Sequence, residues 1–208
     1  MKQLKDIMNV ANIETNKSAL LIIDMEKAFI EPKAALCIAG AKKTVPACEK
    51  AVKEARKNGI KVIWIKRIYA ADGSDMEIPR KKMLVEKGIN RVLAPNSVGI
   101  NSIEEPEGLF REKNDTVIIK PRFSAFFGTE LDKKLKDNGI NTVFLAGTTT
   151  PNCIRTTCYD AISYNFRTVI LEACCSSQTK EIQKSNIYDM KNIGAEIFYG
   201  TDFTKIFK

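Results

Sequence analysis

The sequence contains no histidine among its 208 residues, and this absence restricts its chemistry more than any other feature. Histidine is the commonest general base in enzymes and the commonest protein ligand of metal ions. Any catalysis is therefore expected to use other side chains. The remaining composition, with 44% hydrophobic and 28% charged residues, excludes collagen-like, low-complexity and disordered chains.

Long hydrophobic runs and paired cysteine motifs are also missing. The longest apolar run near the N-terminus covers residues 19–23, which is too short to span a bilayer, and we expect no secretory signal. None of the six cysteines stands in a Cys-x-x-Cys motif, so we expect reduced thiols, most of them buried, in a cytoplasmic protein.

The net charge of +8 is spread along the chain rather than concentrated in one basic segment. The sequence has no arginine-rich block with interleaved aromatic residues, so nucleic-acid binding is the weaker hypothesis. We expect neither nucleic acid nor a membrane as partner. The positive charge would still favour anionic small molecules over cationic ones.

Six short apolar runs alternate with longer amphipathic segments. Continuous β-branched runs are typical of parallel strands that are buried on both faces. The segments between them have helical spacing, and several end in glycine, as helices often do. This alternation predicts an α/β fold, namely a doubly wound, three-layer α/β/α sandwich with a six-stranded, mainly parallel sheet. The predicted strands are 19–24, 60–65, 116–119, 142–146, 168–171 and 195–199, and the predicted helices include 43–57, 129–138 and 182–193.

We expect one domain over residues 1–208, interrupted by an irregular insertion at about 72–115. The insertion is rich in glycine and proline, contains no strong strand, and has a short helix at 80–86. We interpret it as a segment that helps to build a binding pocket.

Three reactive side chains follow predicted strands. Asp24 ends the first run, Lys120 follows the run at 116–119, and Cys153 follows the run at 142–146. Ligands of such sheets bind at the carboxyl ends of the strands, so an acid, an amine and a thiol would meet there without histidine. Each also has an ordinary interpretation, as a strand-end cap, a solvated lysine and a core cysteine.

The position of Cys153 suits a nucleophile as well as it suits a core cysteine. Thr150 and Pro151 suit the N-cap and first position of a helix. Cys153 would then lie in the first turn, where free backbone N–H groups favour a thiolate and could hold an oxyanion. We expect Lys120 to lower the pKa of this thiol and Asp24 to accept its proton. By contrast, Cys158 shares a face with apolar residues at helical spacing and fits the core interpretation.

Three motifs in this order resemble those of the isochorismatase-like cysteine hydrolases over nearly the whole chain. The segment 20–25 is similar to the family's strand-end aspartate motif, and 120–126 to its Lys-x-x-x-Ser-Ala-Phe signature. The segment 147–153, followed by Asp160-Ala161, is similar to its cysteine segment.

The resemblance implies a catalytic triad. Asp24 would be the general base and acid, Lys120 would stabilise the thiolate and the transition state, and Cys153 would be the nucleophile. It also implies a non-proline cis peptide between Thr148 and Thr149. That bond would direct the Thr149 N–H, together with that of Cys153, towards an oxyanion.

Departures from the family pattern bear on the reaction. True isochorismatases act on a vinyl ether and lack the nucleophilic cysteine, so Cys153 indicates C–N hydrolysis. Nicotinamidases of the family bind a metal through an aspartate and two histidines, which makes nicotinamidase activity unexpected here, and we expect no metal or other cofactor. The family's Asp-x-Gln-x-Asp-Phe motif has Glu26 at its glutamine and Ala28 at its second acid. These two changes alter the family-specific contacts expected near residues 26–28.

Substrate contacts are predicted from two features. The segment 67–75 resembles one in many unassigned family members, which offers Arg67 and Tyr69, although an ordinary polar loop explains it equally well. Aromatic residues near the sheet are candidates for an apolar pocket, with packing in the core as the alternative. These aromatic residues are Phe29, Phe123, Phe126 and Trp64.

The sequence therefore predicts a metal-independent cysteine amidohydrolase. It would cleave a C–N bond of a small amide or ureido-type substrate through a thioester, as a homo-oligomer (dimer or tetramer). The alternative hypothesis is an inactive member of the same fold that binds a small molecule.

Overall fold

A six-stranded sheet forms the centre of the molecule. The structure is a computed structural model that describes residues 13–34, 36–70, 72–88 and 103–207. The strand order is β3-β2-β1-β4-β5-β6, and all five neighbouring pairs are parallel. The strands are β1 Ser18–Ile23, β2 Lys61–Arg67, β3 Thr116–Lys120, β4 Thr142–Thr148, β5 Arg167–Ser176 and β6 Glu196–Phe198.

The helices largely follow the predicted amphipathic segments. Their bounds are α1 Lys27–Ile30, α2 Val45–Lys57, α3 Ile78–Glu86, α4 Leu131–Asp137, α5 Arg155–Ser163 and α6 Lys180–Asn192. Short 3₁₀ turns lie at Thr15–Lys17, Lys42–Thr44 and Phe203–Lys205, and a π-helical turn covers Thr150–Ile154. The single turn α1 was not predicted. Part of the predicted insertion, residues 89–102, lies outside the described residues.

Two hydrophobic cores, one on each face of the sheet, explain the continuous apolar runs. Successive residues of β1 point to opposite faces, so that Leu21 and Ile23 join one core and Leu20 and Ile22 join the other. Helices α4, α5 and α6 pack on the first face and α2 on the second. Every residue of β1 and β4 is buried. The predicted doubly wound α/β fold is therefore confirmed.

The edge strand β3 departs from the prediction of strands buried on both faces. Its side chains alternate in burial, with Ile118 buried and Val117 and Ile119 exposed. A strand at the edge of a sheet is covered less completely than a central strand. A short apolar run in the sequence does not by itself distinguish an edge strand from a central one.

The strand order reverses between β1 and β4, and the two strands approach each other closely there. Gly147 in β4 has φ +125°, and a Cβ at this position would overlap the carbonyl oxygen of Ile23. Only glycine fits such a close approach. In sheets of this type the reversal opens a crevice beyond the carboxyl ends of the strands, where ligands bind.

Within the described ranges, no helix has the length and apolar character needed to cross a membrane.

Candidate active site

The ends of β1, β3 and β4 bring the three predicted catalytic residues together. Lys120 Nζ lies 2.9 Å from Asp24 Oδ2 and 3.4 Å from Cys153 Sγ. It also donates to the carbonyl oxygen of Arg122 at 3.1 Å. The three side chains are buried. One ammonium group therefore contacts both the carboxylate and the thiol.

Asp24 leaves the strand in a left-handed backbone conformation, with φ 51°. Aspartate tolerates this conformation better than most residues. Its N–H donates to the carbonyl oxygen of Ile65 in the neighbouring strand at 2.9 Å, which fixes the turn. Oδ2 accepts from Lys120, whereas the buried Oδ1 has no hydrogen-bond partner among the described residues. Oδ1 is thus the oxygen that can accept a further proton.

Cys153 lies in the π-helical turn that precedes α5, not in the first turn of an α-helix as predicted. Thr149 occupies the N-cap position, so the expected N-cap at Thr150 was wrong by one residue. The hydroxyl of Thr150 instead donates to the carbonyl oxygen of Ser176 at 3.0 Å. This bond ties the turn to the end of β5.

The peptide bond between Thr148 and Thr149 is cis, as the family resemblance implied. Thr148 Oγ1 donates to Thr149 Oγ1 at 3.3 Å and accepts from Ser176 Oγ at 2.9 Å. Both threonines and Cys153 line one cavity. The hydroxyl groups on both sides of the cis bond are therefore linked to each other, and that of Thr148 is linked to the end of β5.

The pKa of the Cys153 thiol is raised to about 11, chiefly by burial and then by the carboxylate of Asp24. Lys120 and Arg67 lower this pKa without compensating fully. Lys120 lowers this pKa as expected, but the pKa is raised overall, because burial and the charge of Asp24 outweigh the attraction of the two cations. At neutral pH the free protein therefore holds a protonated thiol beside an acceptor oxygen.

A second buried carboxyl group, Glu26, lies in the same region. Its Oε1 accepts from the backbone N–H of Arg67 at 2.7 Å, and Oε2 has no partner within the described part of the chain. Burial, followed by repulsion from Asp24, raises the pKa of Glu26 well above its ordinary value, although Lys66 and Lys120 oppose this. The raised pKa favours the neutral form of Glu26, which is close to glutamine in size and charge, at the position where the family motif has glutamine.

Replacing Glu26 with glutamine should stabilise the protein increasingly as pH rises. Between the ordinary pKa of 4.5 and the raised folded value, Glu26 is ionised in the unfolded chain and protonated in the folded one. Rising pH then favours unfolding by about 1.4 kcal/mol per pH unit, a loss that Glu26→Gln removes. Denaturant unfolding of both proteins between about pH 5 and pH 8 measures the difference. An equal trend in the exposed-site control Glu107→Gln would contradict burial as the cause.

Asp24 and Cys153 line a cavity of about 390 Å³, and Lys120 contacts both of them. Three predicted substrate contacts, Phe29, Arg67 and Phe123, line it. Among the residues that sequence reasoning missed, Arg80, Met83 and Leu84 come from α3 in the insertion, and Leu36, Cys37, Ile38 and Gln178 from loops. The short helix predicted at 80–86 pointed to the α3 residues, but only the structure shows which side of this helix faces the cavity.

The structure places Tyr69 behind the cavity rather than in its wall. The Tyr69 hydroxyl accepts from Arg67 Nε at 2.7 Å and donates to Glu77 Oε2 at 2.7 Å. Burial is the main reason for the raised pKa of Tyr69. Tyr69 therefore holds Arg67 in position instead of contacting a ligand as predicted.

The candidates Trp64 and Phe126 do not line the cavity, and the alternative of packing in the core is correct for both. Trp64 belongs to the core beneath α2 and donates from Nε1 to Asp115 at 2.8 Å. Phe126 belongs to the other core and stacks on Phe166, with ring centres 5.9 Å apart.

In the described part of the chain, no cluster of three or more cysteine or acidic side chains is arranged to hold a metal ion.

The family model of the isochorismatase domain matches residues 18–202. The chain belongs to the isochorismatase family. This family membership and the fold confirm the resemblance found in the three sequence motifs.

Relatives of this isochorismatase-family chain match over most of their length. It is 40% identical to a probable inactive nicotinamidase of Arabidopsis thaliana, over 86% of this chain and 90% of the relative. It is 26% identical to a ureidoacrylate amidohydrolase of Azorhizobium caulinodans, over 94% of this chain and 92% of the relative. A solved isochorismatase family protein from Desulfovibrio vulgaris shares 37% identity with a TM-score of 0.79, covering 87% of this chain and 93% of that one.

Proposed function

We propose that this protein is a cysteine amidohydrolase that cleaves a C–N bond of a small amide or ureido-type substrate without a metal. The observation that carries the proposal is the position of Lys120 Nζ, in contact with both Asp24 Oδ2 and Cys153 Sγ beside the cavity. A nucleophile, a proton acceptor and a fixed cation are the groups that this reaction requires.

In the first half of the reaction, Cys153 Sγ attacks the substrate carbonyl carbon while its proton passes to Asp24 Oδ1. The N–H groups of Thr149 and Cys153 stabilise the oxyanion. Asp24 then donates the proton to the departing nitrogen, the C–N bond breaks, and ammonia or an amine leaves. The acyl group remains on Cys153 as a thioester.

In the second half, water attacks the thioester carbonyl and gives a proton to Asp24. The tetrahedral intermediate collapses, the C–S bond breaks, and Asp24 returns the proton to the Cys153 sulfur. Lys120 stabilises whichever partner, carboxylate or thiolate, is negative. Because the resting thiol has a pKa of about 11, proton transfer accompanies attack rather than preceding it.

A second candidate is an inactive member of the fold that binds a small molecule. A relative from Arabidopsis thaliana is named as a probable inactive nicotinamidase, which fits this candidate only in part because the name denies nicotinamidase activity alone. A covalent intermediate separates the two, since a binding protein has no reason to form one.

We expect acid-quenched mixtures with small amides, carbamoyl compounds and ureas to contain a thioester on Cys153. The measurement combines ammonia release with mass spectrometry of the peptide that carries Cys153, which should gain the mass of the acyl group. Hydroxylamine should remove the adduct, since it cleaves thioesters. Ligand binding without adduct or ammonia across the panel would support the inactive binding protein.

We further propose that the protein acts in the cytoplasm as a homodimer or homotetramer. Each chain would form one domain over residues 1–208, with the insertion at 72–115 contributing α3 to the cavity wall. Light scattering of the purified protein measures the oligomeric state.

A further inference from the structure

One end of the cavity is cationic. Arg67 and Arg80 lie on the ring of Phe123, with their guanidinium carbons 4.5 and 5.5 Å from its centre. All three residues line the cavity that contains Cys153. Stacking on one aromatic ring orients both planar groups.

Arg67 presents unpaired donors although its side chain is only 1% exposed. Its Nε and Nη2 atoms donate to the Tyr69 hydroxyl, and Nη2 also pairs with Glu77 Oε1 at 2.6 Å. Nη1 is buried and has no hydrogen-bond partner among the residues described. A buried donor without an acceptor is unfavourable, so the fixed guanidinium is arranged to donate to something that enters the cavity.

Arg80 adds a second unsatisfied donor and an uncompensated charge. Its Nε atom is buried without a partner, and it forms no ion pair with the described residues. Lys87 also lines the cavity. The acidic group in the wall, Asp24, is already paired with Lys120. The local charge therefore favours an anion.

We propose that Arg67 and Arg80 form a subsite for a carboxylate, which the substrate carries in addition to the amide that Cys153 attacks. This inference rests on the proposed function and narrows its substrate class to amide or ureido carboxylic acids. Guanidinium groups match the planar, two-oxygen geometry of carboxylates. Apolar walls from Phe29, Leu36 and Leu84 suit a short hydrocarbon linker between the two polar ends.

Matched acid and ester probes test the subsite without turnover. The probes are malonamate, succinamate and glutaramate, each paired with its methyl ester, and binding is measured by calorimetry on Cys153→Ala. At least one acid should bind about tenfold or more tightly than its ester, as expected for a charge-assisted hydrogen bond. Adding Arg80→Gln should remove most of this preference. Adding Arg67→Lys should weaken the preference, because lysine lacks the planar pair of donors of a guanidinium group.

Lys81→Gln is the matched control, because it removes the same charge from an exposed neighbour on α3 that does not line the cavity. The control should keep the preference. The subsite is overturned if no acid binds more tightly than its ester, or if Lys81→Gln removes the preference as fully as Arg80→Gln. Should Arg80→Gln fail to fold, Arg80→Lys, which keeps the charge, must still show a reduced preference. Failure of hydrolysis with a retained preference would overturn the proposed function alone.

Discussion

Replacing Cys153 with alanine should abolish hydrolysis of every substrate that the wild-type protein accepts, while the protein stays folded. The substitution removes the atom that forms the thioester, and loss of such a nucleophile lowers kcat by roughly 10⁴-fold or more. The side chain is 6% exposed and packs beside Ile154 and Cys158, so a smaller apolar group costs only about 1 kcal/mol of unfolding free energy. Steady-state ammonia release and thermal unfolding measure the two effects.

Cys158→Ala is the matched control for this experiment. Cys158 is another buried thiol, five residues further along the chain, whose pKa burial raises to about 12. It does not line the cavity, so its removal should change kcat by no more than about threefold, within the range of ordinary core effects. Wild-type turnover by Cys153→Ala would remove Cys153 from the mechanism. An equal loss in Cys158→Ala would assign the effect to folding.

The convergence of the triad could be predicted because parallel strands fix which ends meet. Asp24, Lys120 and Cys153 each follow a run of residues with apolar side chains, and the two-faced burial of β1 and β4 made those runs recognisable. Once three strands are parallel, residues that follow them must lie at one edge of the sheet. The strand order does not by itself give the contacts, because β2 separates β3 from β1. The long side chain of Lys120 crosses this gap, about two strand spacings wide, to reach Asp24 at 2.9 Å and Cys153 at 3.4 Å.

The thiol pKa could not be predicted, because it depends on burial rather than on neighbours alone. The sequence indicated a nearby cation for Cys153, but not that the site would exclude water well enough for desolvation to exceed the attraction of that cation. As a consequence, we expect the Cys153 thiol of the free protein to be alkylated slowly near neutral pH.

Only part of the pocket wall could be predicted from the sequence, because the direction of each side chain decides which residues face the cavity. Trp64 lies three residues before Arg67 in β2, and because strand side chains alternate, the two point to opposite faces. Aromatic character gave no sign of which face carries the ligand. Arg80 reaches the cavity through the path of the insertion, which no local pattern determines.

Replacing Asp24 with asparagine should reduce both activity and stability. Asparagine keeps the shape but cannot accept the thiol proton, and loss of a general base lowers kcat by about 10²–10⁴-fold. The substitution also leaves the fully buried Lys120 without its carboxylate partner at 2.9 Å. Removing one member of a buried ion pair costs as much as about 3–5 kcal/mol of unfolding free energy. Ammonia release and denaturant unfolding measure these losses.

The double variant Asp24→Asn/Lys120→Met should separate the two losses. Methionine fills the space of the lysine stem without a charge, so neither member of the pair remains buried and unpaired, and much of the lost stability should return. Activity should stay absent, since the proton acceptor and the cation beside Cys153 Sγ are both gone. Recovery of turnover together with stability would show that Asp24 acts only as a structural partner of Lys120. If stability fails to recover, the pair is not the source of the instability.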